Sequence, residues 1–353
     1  MTLSVCLIVK NEEKVLGRCL DCVSKFADEI VVVDTGSTDM TVNVAKKYTD
    51  KVYYFDWCDD FSKARNFSFK KAESEYLMWL DADDVIRDED VKKILKLKNS
   101  LIADCYTMLY HVGYDDNGKP NFTFYRERII KKGSGVWRGF VHEYVEVQGL
   151  TVHTDVCVYH KKIESSGRRN LNIYRRHLKE GLSARDKYYY ARELYYNAYY
   201  ASSIKVMRKC LPIIASHERV DGTIILADCY IKRGDTGRAL NCLLEVLKSE
   251  RPKGELCCKI GEVYLLRGMR ESAVFWYKSA LTLTNSVKDA GFVRLEYTTI
   301  VPALQLTSIL YSLGKFEEAE EYHILSKLLA PEHPSVKFNE RFFKNFQKTR
   351  DKG

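Results

Sequence analysis

Short apolar runs alternate with polar, helically spaced stretches through the first third of the chain. Ser4–Val9 is a strand-length run rich in β-branched residues, and Glu12–Phe26 follows with Val15, Leu16, Cys19, Leu20 and Val23 at helical spacing. Glu29–Val33 reads as a second strand, residues 40–48 as a short helix and Lys51–Phe55 as a third strand. Ser62–Ala72 reads as a helix and Tyr76–Leu80 as a fourth strand. Strands alternating with helices predict a Rossmann-like α/β fold with a mostly parallel sheet covered on both faces. Ligands of such sheets bind at the carboxyl ends of the strands. Lys10-Asn11-Glu12, Asp34–Asp39 and Asp81–Asp84 all fall there, which makes three polar clusters on one rim.

Cys105–Val112, Asn121–Ile130 and Val152–His160 continue the strand-like pattern, and the chain is then helical nearly to its end. Within residues 226–280 the pattern repeats. Ala227, Tyr230, Gly234, Ala239 and Val246 return as Gly261, Tyr264, Gly268, Ala273 and Ala280, each 34 residues later. That period, with small, aromatic, glycine and alanine positions in this order, resembles the tetratricopeptide repeat, a stacking helix–turn–helix unit. Tyr196 suggests a degenerate earlier unit around 186–218. Leu310, Gly314, Ala319 and Pro331 suggest a later one, after an insertion near 284–295.

Composition narrows the classes. The 353 residues are 46% apolar and 29% charged, which excludes collagenous and wholly disordered chains. Residues 1–160 carry 22 Lys and Arg against 26 Asp and Glu; the remainder carries 34 against 22, so an acidic front is joined to a basic rear. No nucleic-acid-binding motif accompanies that charge. The opening residues lack a basic segment and their apolar run stops at Lys10, so no signal peptide is expected, and no apolar run reaches the roughly eighteen residues of a membrane span. Eleven scattered Cys then read as reduced, buried thiols in a cytoplasmic protein. Cys19-x-x-Cys22 and Cys257-Cys258 lack the second ligand pair of a structural zinc site.

Asp81-Ala82-Asp83-Asp84 follows the apolar strand Tyr76–Leu80. Carboxylates at i and i+2 leaving a strand end can converge on a hard cation such as Mg²⁺ or Mn²⁺, whose remaining positions a diphosphate fills. Val5–Glu12, Ile30–Asp39, Asp60–Asn66 and Leu80–Asp84, in that order and spacing, resemble the family 2 glycosyltransferases over about the first 160 residues. Tetratricopeptide repeats behind such a domain resemble a bacterial subgroup that includes the sublancin-type peptide S-glycosyltransferases. The resemblance implies a GT-A fold, a divalent cation, inversion at the anomeric carbon and a nucleotide-diphosphate sugar donor, with a UDP-sugar favoured.

It also implies roles for residues. Asp34 would accept hydrogen bonds from the base or ribose, with Thr35 and Ser37 beside it and Asn11 and Glu12 flanking the same nucleotide. Arg65 and Asn66 match an arginine–asparagine pair near the base and diphosphate. Asp81 would face the ribose and metal, Asp83 would bind the metal, and His160, at the end of the last strand, would be a further metal ligand. Val136–Glu143 resembles a late tryptophan–glycine–histidine–glutamate stretch of the subgroup. Inverting transfer needs a group to take the acceptor's proton, and Glu143 is the candidate base; His142 is the alternative, either as base or as a group orienting Glu143.

Lys161/Lys162, Arg168/Arg169 and Arg175/Arg176 recur every seven residues, on one helical face. Arg168 or Arg169 over the diphosphate would neutralise the leaving group; a solvated basic face and weak contact with anionic lipid head groups are the other accounts. The expected domains are a glycosyltransferase domain at 1–162, a basic linker helix at 163–184 and a repeat domain at 185–345. The repeats are expected to select a protein or peptide acceptor, with a solenoid that only forms a homodimer as the rival account. A silent scaffold, a nucleotidyltransferase, or transfer to a cell-surface glycan or lipid-linked acceptor are the alternative functions.

Overall fold

The computed structural model describes residues 1–115, 118–161, 167–283 and 293–350. The chain divides into two compact units, one of residues 1–114 and 123–186, the other of residues 115–122 with the chain from Lys187 onward.

The first unit holds β1 (Leu3–Val9), α1 (Leu16–Val23), β2 (Glu29–Asp34), α2 (Thr41–Ala45), β3 (Val52–Tyr54), α3 (Phe61–Lys71), β4 (Tyr76–Leu80) and β5 (Asp84–Val85). It continues with α4 (Asp88–Lys98), β6 (Cys105–Tyr114), β7 (Pro120–Lys131), β8 (Gly135–Arg138), β9 (Tyr144–Val147), β10 (Thr151–His160) and α5 (Arg169–His177). The strand order is β3-β2-β1-β4-β7-β6-β10-β5. β1 pairs in parallel with β2 and β4, β2 with β3, and β6 with β10, whereas β7 runs antiparallel to β4 and β5 to β10.

The continuous apolar runs follow from burial on both faces of the sheet. Alternate side chains serve two cores: Val5, Leu7, Val9, Met78 and Leu80 pack with Leu16 and Leu20 on one side. Cys6, Val31, Val33, Leu77 and Trp79 pack with Phe69 and Trp137 on the other. Asp60 starts α3 by accepting from the Lys63 backbone N–H.

Three expectations change. The helix expected from Glu12 begins only at Leu16; the Glu12 and Glu13 backbone N–H groups donate to Thr41 Oγ1 and Asp39 Oδ2. Of the basic helix expected over 163–184, the described residues are helical at Arg169–His177 and again from Ala184; residues 162–166 lie outside the described residues. The β8–β9 hairpin, β5 and α4 stand where no element was read.

The second unit is helical: α6 (Ala184–Tyr196, which it shares from Lys187), α7 (Tyr200–Cys210), α8 (Ser216–Lys232), α9 (Thr236–Val246), α10 (Gly254–Leu266) and α11 (Arg270–Thr282). After residues 284–292, outside the described residues, come α12 (Ile300–Ser312), α13 (Phe316–Leu329) and α14 (Pro334–Arg350). The 34-residue period maps α8/α9 onto α10/α11. Each turn closes in the same way: Asp235 N–H donates to Tyr230 O, Met269 N–H to Tyr264 O and Lys315 N–H to Leu310 O. Gly234, Gly268 and Gly314 take the left-handed conformation there, with φ of 77°, 74° and 74°.

The earlier unit uses the same closure, Tyr199 N–H to Leu194 O, with Ala198 at φ 62° in the glycine's place. Leu194, not Tyr196, is therefore the counterpart of Tyr230. A Cβ in the left-handed region costs about 1–2 kcal/mol. Ala198→Gly is expected to raise stability by about 0.5–1 kcal/mol, after the glycine's greater unfolded-state entropy is set against that strain. Denaturant unfolding checks the sign.

Candidate active site

β1, β2 and β4 end side by side, and the loops that follow them are tied together. Asn11, itself at φ 56°, donates its N–H to Ser37 Oγ at 3.0 Å, and its side-chain Oδ1 accepts from Thr38 N–H at 2.8 Å. Asp34 accepts from the backbone N–H groups of Gly36 and Ser37, each at 3.2 Å. Thr35 donates its hydroxyl to Val9 O. Thus Asn11, Asp34 and Ser37 first shape the rim.

A cavity of about 460 Å³ opens beside it, lined by Lys10, Asn11, Glu12, Thr35, Phe61, Arg65, Asp81, Asp83, His142, Glu143, His160 and Arg169, among others. Most residues expected at the site meet here. Asn66 does not: both ends of its amide bond the Trp137 backbone, at 3.0 Å each, so it joins α3 to β8. Arg168 is exposed as the residue preceding α5, and Arg169 and Asn170 reach the cavity in its stead. Arg176 pairs with Asp59, so the later basic pair is not wholly a solvated face.

Asp81, Asp83, Asp84 and His160 offer ligand atoms that all lie within 4.8 Å of one another. Asp84 is otherwise committed. It receives Arg128 Nη1 at 3.1 Å and Tyr110 Oη at 3.0 Å, and both Asp84 and Arg128 side chains are 0% exposed. His160 Nδ1 lies 3.2 Å from Asp83 Oδ1 and 3.2 Å from Asp84 Oδ1. Burial works to lower the imidazole's pKa, yet these carboxylates hold it up, at about 10. Half-burial, together with the charges of Asp83 and Asp81, pushes Glu12 up to about 7. That surplus of negative charge among hard oxygen donors and one imidazole fits a divalent ion held by Asp81, Asp83 and His160.

Arg65 is 6% exposed and donates Nη2 to Asp81 Oδ1 and Nε to Glu143 Oε1, each at 2.7 Å. Burial would raise the Asp81 pKa, but Arg65 outweighs it and holds the carboxyl well below its ordinary range. Glu143 lies in the β8–β9 connection, and its backbone O accepts from Arg126 Nη2 at 3.1 Å. α5 buttresses that segment: Tyr174 Oη donates to Val141 O, and His177 stacks on Phe140 at 3.8 Å. His142 lines the cavity with φ 54°.

Arg169 at the cavity agrees with the expectation for the Arg168/Arg169 pair, whereas reading the sequence missed Arg128, Asn170 and Phe61. Breaking a buried ion pair costs about 3–5 kcal/mol because a charge is left uncompensated. Arg128→Leu is expected to lose that much in a denaturant titration.

A mostly parallel sheet with an acidic cluster at the end of its central strand defines a GT-A type α/β domain, here followed by tetratricopeptide-like helices. Residues 4–157 match the model of glycosyl transferase family 2. The chain is 27% identical over 273 residues to the SPbeta prophage-derived glycosyltransferase SunS of Bacillus subtilis (strain 168), covering 71% of this chain and 64% of that protein. It thus spans less than two thirds of that relative. It is 43% identical over 81 residues to a TPR repeat-containing protein of Synechococcus elongatus, 23% of this chain and 20% of that one. Among solved structures, S. aureus TarS 1–349 in complex with UDP-GlcNAc is 15% identical, covers 95% of this chain and 93% of that one, and has a TM-score of 0.37. Among the described residues, no helix is long and apolar enough to cross a membrane.

Proposed function

We propose that the chain is an inverting, metal-dependent glycosyltransferase that moves a sugar from a nucleotide-diphosphate sugar to a protein or peptide side chain. The observation that carries this reading is the meeting, in one cavity, of the Asp81–Asp83–His160 cluster and Glu143, with Arg65 bonded to both sides. A divalent ion held there would supply positive charge for the departing diphosphate. Arg169 at the cavity wall would add to it, and Lys10 lies on the same lining. Glu143 has one oxygen on Arg65, which leaves Oε2 to take the acceptor's proton as the sugar transfers. A single displacement with one base inverts the anomeric carbon.

The test is donor hydrolysis by the full chain with uridine and guanosine diphosphate sugars, in Mg²⁺ and in Mn²⁺, without acceptor. Metal-dependent hydrolysis of one donor, a UDP-sugar first, is expected. Neither hydrolysis nor saturable donor binding would leave a silent scaffold.

For the acceptor, the support lies in the polar row on the first helices of the repeats. Tyr195 Oη donates to Asp228 at 3.4 Å, and Lys259 pairs with Asp228 at 2.8 Å. Tyr188 and Tyr189 are buried between helices, which removes them from recognition, whereas Tyr196 is 59% exposed. Tyr196→Ala is expected to raise the acceptor KM several-fold, as the loss of about 1 kcal/mol at a contact residue would, and to leave donor hydrolysis unchanged. An unchanged acceptor KM would remove Tyr196 from the binding surface.

A further inference from the structure

Arg65 is the one described side chain that bonds both the ion-side carboxylate, Asp81, and the candidate base, Glu143. Its guanidinium packs against two indoles, 4.5 Å from the Trp79 ring centre and 4.8 Å from that of Trp137. Those rings meet edge-on at 4.9 Å, with Phe69 edge-on to Trp137 behind them. On the backbone side, Asn66, the next residue of α3, is fastened at both amide ends to Trp137. The guanidinium is thereby fixed in place, and the two carboxylates share it.

We infer that Arg65 is a positioning residue that couples divalent-ion binding at Asp81 to the charge of Glu143. The inference rests on the ion site proposed above. While Glu143 is charged, it takes part of Arg65's attraction, and Asp81 is freer to face an ion. When Glu143 loses its charge, the whole of Arg65's pull falls on Asp81, and an incoming dication meets a less available oxygen beside an unscreened guanidinium. Linkage makes the effect reciprocal: an ion that engages Asp81 leaves Arg65 more fully to Glu143. The base is then held most firmly when the ion is in place.

Mn²⁺ alone, without donor or acceptor, is the probe, and its affinity for the full chain is read by calorimetry or by the electron paramagnetic resonance of free Mn²⁺. Four proteins form a cycle: wild type, Glu143→Gln, Arg65→Met and the double variant. Glu143→Gln is expected to weaken Mn²⁺ binding roughly threefold to tenfold in the wild-type background, the usual span for coupled neighbours, and less than about twofold once Arg65 is gone. Circular dichroism checks the fold, and Arg65→Gln replaces Arg65→Met if the latter does not fold. Equal weakening in both backgrounds means that Glu143 acts through space, and overturns the coupling. Mn²⁺ binding blind to Glu143→Gln, or tightened by it, also overturns it, and needs no Arg65 variant. Absence of Mn²⁺ binding by the wild type overturns the ion site itself, and the coupling with it.

Discussion

Asp83→Ala is expected to lower metal-dependent donor turnover by about 10²–10³, and to remove most of the dependence of donor binding on Mn²⁺. The estimate follows from the several kcal/mol that a bound ion contributes to charge developing on a leaving group, at about 1.4 kcal/mol per tenfold. The variant is a clean one because the structural duties of Asp83 lie on its backbone. Its carbonyl O accepts from the Lys161 N–H at 3.0 Å and from Arg18 Nη2 at 3.4 Å, and alanine keeps both. Only the carboxylate facing His160 is lost. Donor affinity is measured with and without Mn²⁺ for both proteins, and a variant that retains full metal-dependent binding and turnover removes Asp83 from the ion site.

Glu143→Gln is expected to reduce transfer to a hydroxyl acceptor by roughly 10²–10⁴, the span for a positioned acid–base group. The amide keeps the shape. Its carbonyl oxygen still accepts from Arg65 Nε, and the backbone O still accepts from Arg126. What disappears is the ability to take a proton. If the acceptor is a cysteine thiol, with an ordinary pKa of about 8.5, the loss should shrink as pH rises, because the thiolate forms without help. Donor binding with saturating Mn²⁺ should survive either way. Wild-type turnover on a hydroxyl acceptor at neutral pH would refute the assignment and direct attention to His142.

The strands and the repeat turns were legible because they rest on local rules. β1, β2 and β4 are buried on both faces and read as unbroken apolar runs, and Gly234, Gly268 and Gly314 mark turns that demand a left-handed residue. α4 was missed although its signal was there: Asp88, Glu89 and Asp90 in the first turn and Lys96 and Lys98 in the last complement the helix dipole. The Tyr196 alignment failed for a different reason. A regular spacing was extended into a unit whose turn residue is Ala198, and only the backbone closure at Leu194 reveals the true register.

At the site, residue types were readable and their division of labour was not. Asp81, Asp83 and His160 come together as their strand-end positions and the family resemblance suggested. Asn66 carries a motif position but spends both amide ends on Trp137, 71 residues away. Arg128 gave no signal because a single arginine in a strand-like stretch reads as an outward-facing residue. Its partner Asp84 lies 44 residues earlier, and only the pairing of the sheet brings them together.

The cross-linked loops after β1 and β2 bear on how the donor would arrive. Asn11 holds Ser37 and Thr38, Asp39 holds Glu13, and Glu13 Oε2 in turn receives the Met40 N–H at 3.0 Å. Neither loop can open without breaking bonds to the other, so their backbone entropy has already been surrendered in folding. A nucleotide settling on this rim would immobilise little further chain. Its association should therefore resemble a rigid-body encounter, with an on-rate set by diffusion and charge and little slowing from loop rearrangement.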